Sequence, residues 1–392
     1  MNCIGMAIVK LDPLGGSSAI ANGVNQEGLV SGDANLPGDQ SQRGVLWRGR
    51  HAFDLGTLGG PNSLANWPPN ESGAVAVLAE TSNPDPLGED FCAFGTHLVC
   101  QGFVWRQGRA GPPLVPFQGG DNSQPQAMND RGDISGYAEN GVQDSTCTPP
   151  QVLQVRGAIW GRKGGQPQEL SPIGSDPDSV GFDINNRGQV VGASGVCGDA
   201  NSPSNAFHAV MWNRGSPMDL GSLGGAINNA ALSLNERGDA VGFSDLPSDA
   251  TFHPFLWRKK TGMRDLGVLS GDVFGFSSGV NNRDQAVGEV CDVSGNCRGF
   301  LWQSGKMIDF NSLLSPHSKL YVLATKWIND DGVVVGMAYD ASTGATPAFI
   351  AVPRDAMKNS PQPARQPILP KAARNQTKIG AFQRSKAMVV FR

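Results

Sequence analysis

Residues Asn229-Ala230-Ala231-Leu232-Ser233-Leu234-Asn235-Glu236-Arg237-Gly238-Asp239-Ala240-Val241-Gly242-Phe243-Ser244 read as two short strands around a tight turn. A loop leads on to Pro254-Phe255-Leu256-Trp257, and a turn ending at Gly262 leads to Met263-Arg264-Asp265-Leu266, so the unit holds four short segments. The turn has a mechanical signature: Asn235 caps it with its side chain, and Gly238 takes the left-handed conformation that a type I turn with a following bulge requires. That Asn-x-x-Gly spacing recurs from Asn25, Asn70, Asn129, Asn185 and Asn329. It recurs from Asn281 with Asp284 in the glycine place, and Asp tolerates positive φ better than most residues. Trp47, Trp105, Trp160, Trp212, Trp257 and Trp302 follow the first six turns, and Ile350 stands in the seventh place.

From Asn25 to Asn329 is 304 residues in six steps, a period of about 51. That is longer than the roughly 40 to 45 residues of WD-type propeller blades and close to the kelch length. Segments this short cannot bury their apolar residues alone, so the copies must cover one another. Near-continuous apolar stretches such as Phe255-Leu256-Trp257 and Val333-Val334-Val335 suit blades covered on both faces.

The ends decide between an open array and a ring. Repeats one to six finish with a fourth strand, as in His51-Ala52-Phe53-Asp54-Leu55 and Met307-Ile308-Asp309-Phe310, whereas repeat seven stops after Ala348-Phe349-Ile350-Ala351-Val352. The missing strand is at the N-terminus, where Ile8-Val9-Lys10-Leu11 leads into Leu14-Gly15-Gly16 as Asp54-Leu55 leads into Leu58-Gly59-Gly60. A chain that begins with the last strand of its final blade closes a ring and leaves no long sheet edge. The predicted fold is therefore all-β: a seven-bladed propeller of four-stranded antiparallel blades over 1–353, its ring closed by the N-terminal strand, followed by a tail at 354–392.

The net charge of -4 hides an asymmetry, because residues 356–392 carry eight Lys or Arg and no acid, which leaves -12 for 1–355. The tail is rich in Pro, Gln, Ala and Asn and lacks an apolar period, the composition of a disordered segment. No apolar run approaches a membrane span, and no signal peptide precedes the first strand at 7–11.

Phe255-Leu256-Trp257, Asp219-Leu220-Gly221-Ser222-Leu223-Gly224-Gly225 and Ile184-Asn185-Asn186-Arg187-Gly188-Gln189-Val190-Val191-Gly192 carry a family resemblance. They resemble the unit of the HAF-repeat family of extracellular repeat proteins, and the likeness covers about 7–353. It implies a bacterial, secreted or cell-surface protein, with its export signal absent from this chain, and implies no established chemistry. Repeats two and three depart most, through Trp67-Pro68-Pro69 and Pro112-Pro113-Leu114-Val115-Pro116-Phe117.

Cys92, Cys100, Cys147, Cys197, Cys291 and Cys297 all fall near the connection of second to third strands. Two pairs are local, and a bridge from Cys147 to Cys197 would staple neighbouring blades, leaving Cys3 over. Disulfides suit this pattern better than zinc, since no Cys-x-x-Cys occurs and histidines number five.

With the first strand innermost, strand two-to-three loops and inter-blade links emerge at one end, which becomes the expected ligand face. Its candidate residues are Asp121, Asp176, Asp178, Asp272 and Glu289, with His97 in a cysteine-bearing loop outside the repeat. Paired carboxylates there would serve a polysaccharide lyase or glycoside hydrolase; the alternative is that Asp is an ordinary loop residue. His208 and His253 occupy equivalent repeat positions, which argues for packing. Trp67 and Trp327 stand outside the shared Trp position and would either stack on a sugar or join the core.

No phosphate-binding loop is present, no cofactor is expected, and Asp176 with Asp178 would contribute at most to an irregular calcium site. The sequence thus reads as a monomeric binding module for a polysaccharide or a surface protein, with no nucleic-acid partner. A carbohydrate-active enzyme and a purely structural surface repeat are the alternatives.

Overall fold

The computed structural model describes residues 5–162, 164–197 and 206–354. Cys3 and the tail beyond Arg354 lie outside them. Seven antiparallel sheets of four strands each form the blades. Blade five runs Asn229–Leu234, Ala240–Asp245, Phe252–Arg258 and Gly262–Asp265, in the order in which the chain makes them. The seventh is composite: Leu320–Ile328, Val334–Asp340 and Ala348–Pro353 are completed by Met6–Lys10, which pairs antiparallel with the last strand from Met6 opposite Pro353 to Lys10 opposite Phe349. The ring closes as the repeat arithmetic requires.

The Asn of each turn does more than cap it. Its Oδ1 accepts from the backbone N four residues on, at Leu29, Ala74, Asp133, Gln189, Asp239, Gln285 and Val333. Its Nδ2 donates to the backbone O of the equivalent Asn in the next blade at 2.9–3.3 Å, all the way round from Asn25→Asn70 to Asn281→Asn329. The circuit ends at Asn329→Asn25, 3.0 Å across 304 residues of chain. The following residue makes a second ring at 2.7–3.1 Å: its backbone N donates to the side-chain oxygen of its counterpart in the next blade, through Gln26, Glu71, Asp130, Asn186, Glu236, Asn282 and Asp330. Every residue in that place carries a carbonyl or carboxylate oxygen because every one must accept.

The glycine of Gln-Val-Val-Gly answers to packing. First strands shift register near their ends, at Gly181/Asp183 in blade four, and the resulting bulge turns a carbonyl toward the second strand. A Cβ on Gly192 would stand 1.9 Å from Val180 O, and Gly32, Gly136, Gly242, Gly288 and Gly336 face the same carbonyl at 1.9–2.1 Å. The shared tryptophans are core: Trp47, Trp160 and Trp212 are fully buried, their indole Nε1 donating to Asp12 O, Val115 O and Ser171 O in the inter-blade links at 2.7–2.8 Å. Blades two and three are the irregular ones, with ten-residue second strands (Val75–Pro84 and Ile134–Gln143) and a first strand in blade two that stops at Leu64.

Candidate functional site

Alternating strand direction puts the seven turns with their hydrogen-bonded rings at one end and the strand two-to-three loops with the inter-blade links at the other. Three disulfides staple the loop end: Cys92–Cys100 and Cys291–Cys297 within blades two and six, and Cys147–Cys197 between blades three and four.

The histidines and the Asp-Leu-Gly link resolve as scaffold. His208 Nδ1 lies 2.8 Å from Asp219 and His253 Nδ1 lies 3.0 Å from Asp265, a third-strand to fourth-strand pairing that Arg298 repeats with Asp309 at 3.0 Å. The same aspartates accept from the N of Gly221 and Gly267, two residues on, where φ is 80° and 70°. One carboxylate thus caps the exit turn and holds the base beside it.

The predicted site residues are spread over the loop end rather than brought together. Asp272 accepts from Arg298 Nε at 2.9 Å, and burial raises its carboxyl while Arg298 opposes the rise. Asp176 accepts from Ser194 Oγ at 2.6 Å, with His208 Nε2 3.8 Å away. Glu289 is buried in the second strand of blade six, opposite Phe276 and Gly299. His97 is exposed, its Nδ1 2.7 Å from Gly88 O across its own loop. Trp67 stacks on Phe182 with ring centroids 6.3 Å apart and planes 4° from parallel, joining blade two to blade four in the largest core cluster. Trp327 packs between blades seven and one. Neither tryptophan supplies an open shelf.

Asp121 and Asp178 do border a polar network, centred on Asn122. Its Nδ2 donates to Asp85 at 2.8 Å and to Glu139 at 3.0 Å, its N donates to Glu139 at 2.9 Å, and its Oδ1 accepts from Cys100 N at 2.8 Å. Glu89 Oε1 accepts from Val152 N and Leu153 N at 2.7 Å each, so the loop of blade two holds the loop of blade three. Burial, then the facing Glu89, pushes Glu139 up to about 8. Asp178 accepts from Val155 N at 2.6 Å and is pushed up to about 8 by burial, with Asp144 adding to the rise. Burial and then Asp85 raise Asp121. Glu89 shares a side-chain hydrogen bond with Glu139, and Asp178 shares one with Asp144, so each buried pair holds a proton between two carboxyls.

Sequence reading missed Asp85, Glu89, Asn122 and Glu139. The available signal was the Asn-Ser pair in or at the start of a first strand, at Asn62-Ser63 and Asn122-Ser123, matched to an acid in the middle of the second strand, at Glu80 and Glu139.

Charge is divided between the two ends. The links (11–18, 55–58, 115–122, 171–177, 220–228, 266–273, 310–319) and loops (36–41, 85–97, 144–152, 196–207, 246–251, 292–296, 341–347) hold eleven acids among the described residues and one base, Lys319. The opposite turns (25–29, 65–74, 129–133, 185–188, 235–239, 281–284, 329–333 and 49–50, 107–108, 161–167, 214–215, 259–261, 304–305) hold nine acids and nine described bases. The links and loops are acidic and the turns balanced, but Lys10, Arg43 and Arg298 at the loop-end strand ends pair with Asp340, Asp54 and Asp272, and Asp12 of a link pairs with Arg50 of a turn at 3.1 Å.

No protein-family model and no curated protein matches the chain. Among solved structures, the chain is similar to the β-propeller domain of the Trilobed protease from Pyrococcus furiosus, 10% identical over 85% of this chain and 94% of that one, with TM-score 0.45. It is also similar to the six-bladed fucose-binding lectin of Aleuria aurantia, 12% identical over 68% and 80%, with TM-score 0.36. The strand order itself defines the class of protein: a seven-bladed β-propeller with velcro-type closure by its N-terminal strand.

Proposed function

We propose that the protein is an extracellular or cell-surface binding module of the HAF-repeat type, whose loop end takes a cationic partner such as the basic surface of another protein. The charge division carries this reading: eleven acids against one lysine among the described links and loops, with the turns of the opposite end balanced. Such a face raises the local concentration of cations and the rate at which they arrive. The three disulfides hold its loops in place and suit an oxidising compartment. Among the described residues no helix is long and apolar enough to cross a membrane.

A neutral glycan is the second ligand class, favoured by Phe252 and Phe274. These half-buried rings lie 5.3 Å apart at the loop end between blades five and six, beside Asp249 and Thr251. Aromatic faces of this kind suit sugar rings.

The test compares two full-length variants of equal charge, binding labelled decalysine by fluorescence anisotropy. One neutralises loop-end acids (Asp39→Asn, Asp90→Asn, Asp249→Asn, Asp292→Asn); the other neutralises turn-end acids (Glu27→Gln, Asp133→Asn, Asp284→Asn, Asp331→Asn). Only the first should lose binding, and added salt should weaken the parent as the screening length falls from about 10 Å at 0.1 M toward about 3 Å at 1 M. Equal loss in both variants would reduce the effect to net charge and overturn the reading.

A further inference from the structure

We infer that the central opening of the ring, toward its turn end, is a separate ligand site and that it takes a neutral monosaccharide. The site does not rest on the loop-end charge. First strands touch one another round the ring, so their inward residues line the axis. One such place lies three residues before each turn Asn, about 10 Å in from the turn end. In blades one and three to seven the strand bulges there. The scaffold repeats, yet this place does not: Asn22, Trp67, Gln126 and Phe182 hold it in blades one to four, and Leu232, Ser278 and Lys326 in blades five to seven.

Solvent reaches this inner surface from one side. In blade six Phe274, Phe276 and Ser278 are partly exposed while Gly275, Ser277 and Gly279 between them are buried. In blade one Ile20 and Asn22 are partly exposed between buried Ala19, Ala21 and Gly23. A first strand covered by its second strand and by neighbouring blades shows alternate residues to solvent only along the axis. Phe182 and Leu232 are buried, so the opening is off centre, displaced toward blades six and one.

The polar groups around it are incompletely used. Gln126 is 2% exposed and Gln124, two residues earlier on the same strand, is 6% exposed, and the Oε1 of each has no hydrogen-bond partner among the described residues. Trp67 gives one face to Phe182, and its indole Nε1 is likewise buried and unpartnered. Packing accounts for other members of the ring. Asn22 Nδ2 donates to Asp33 at 2.8 Å and to Ala65 O at 3.2 Å, and Ser278 Oγ donates to Thr325 O at 3.0 Å. Two amide oxygens that accept and one N–H that donates call for a ligand able to do both, which hydroxyl groups are. Phe276 adds an apolar wall, with Lys326 Nζ 5.4 Å from its ring centroid. Lys326 also draws on the buried carboxyl of Asp33, so the wall matches its cation with an acid and asks for no charge on the ligand. A sugar ring, with hydroxyls on its rim and C–H groups on its faces, meets these demands together.

The experiment labels the full chain with 5-fluorotryptophan and follows its fluorine NMR spectrum as glucose, galactose, mannose and N-acetylglucosamine are each titrated, with Trp67→Phe assigning the Trp67 signal. At least one sugar should move that signal saturably, with a Kd on the order of 1 mM for so small a ligand. Gln126→Leu and Gln124→Leu should each weaken binding about 10-fold, the worth of one hydrogen bond. Both should melt no lower than the parent, because each removes a buried amide oxygen that lacks a partner. The four loop-end Asp→Asn changes should leave the titration as it is. A Trp67 signal that none of the four sugars moves would overturn the inference. So would movement confined to other tryptophans, a titration that both leucine variants leave unchanged, or binding lost with the loop-end changes.

Discussion

Replacing Asn281 by Asp and, separately, by Ala divides the two tasks of the repeat asparagine. Asn281 is buried; its Oδ1 accepts from Arg283 N at 2.9 Å and Gln285 N at 3.1 Å, while its Nδ2 donates to Asn329 O at 2.9 Å and Gln285 Oε1 at 2.7 Å. Ala removes all four bonds, strands the backbone N–H groups of Arg283 and Gln285, and takes the inter-blade donor from the Asn329 carbonyl, which keeps its bond from Gly332 N. At about 1–3 kcal/mol for each stranded buried group, the expected loss is about 3–5 kcal/mol. Asp keeps the cap but loses both Nδ2 bonds, setting an oxygen against the Asn329 carbonyl between blades and against Gln285 Oε1 within its own, a loss of about 2–3 kcal/mol. Urea denaturation at pH 7 reads both, and a loss of about 3 kcal/mol moves the midpoint by about 1 M for a slope near 3 kcal/mol/M. The Asp variant should recover as pH falls through its folded pKa, because a protonated carboxyl can again donate. Asn329→Asp, which cuts the equivalent bond where the last blade meets the first, should cost the same. If the Asp variant matches the parent at pH 7, or equals the Ala variant, the ring between blades contributes nothing separable from the turn.

Three further outcomes follow. Glu139, raised from 4.5 to about 8, contributes stability that is fully present below about pH 4.5 and lost as pH rises through about 8. Glu139→Gln, which can also donate to Glu89, should flatten the dependence of melting temperature on pH and gain on the order of 2 kcal/mol at pH 8. Gly192→Ala, with its Cβ 1.9 Å from Val180 O, should lose at least about 3 kcal/mol, while Gly161→Ala, with nothing within 4 Å, should melt as the parent does. Opening Cys147–Cys197 with a Cys→Ser pair should cost about 4 kcal/mol and opening Cys291–Cys297 about 2, because the loops closed differ, with sequence separations of 50 and 6; equal costs in urea would refute that entropic ordering.

The fold was legible because its rules are local and repeated. Asn, Gly and Trp recur at fixed offsets, and the N-terminal strand supplies what repeat seven lacks, so strand count and closure follow from the sequence. Local reading explained the Asn as a turn cap, but half of its work is the bond to the next blade, which spans 45 to 59 residues within the ring. The glycine of Gln-Val-Val-Gly is likewise explained by a carbonyl on another strand. Trp67 shows the opposite case: it breaks the repeat in sequence, yet it stacks on Phe182 of blade four, on the stretch between the end of the first strand of blade two at Leu64 and its turn at Asn70.

The candidate face was less legible because it depends on where carboxylates go after the loops fold. Asp272 and Asp176 stood out as isolated loop acids, and the structure gives each a partner, Arg298 and Ser194. Glu89 and Glu139 are fifty residues apart in a chain rich in acids, and burial alone makes them informative, by placing two carboxylates together under disulfide-bonded loops. A scaffold under no other constraint would distribute its charge between the two ends, as the turn end does with nine acids and nine bases. The loop end departs from that balance although its acids repel one another and destabilise the loops that carry them. On the proposed reading a cationic partner would relieve that repulsion, so the imbalance of the links and loops, more than any single residue, argues for this end as the binding face.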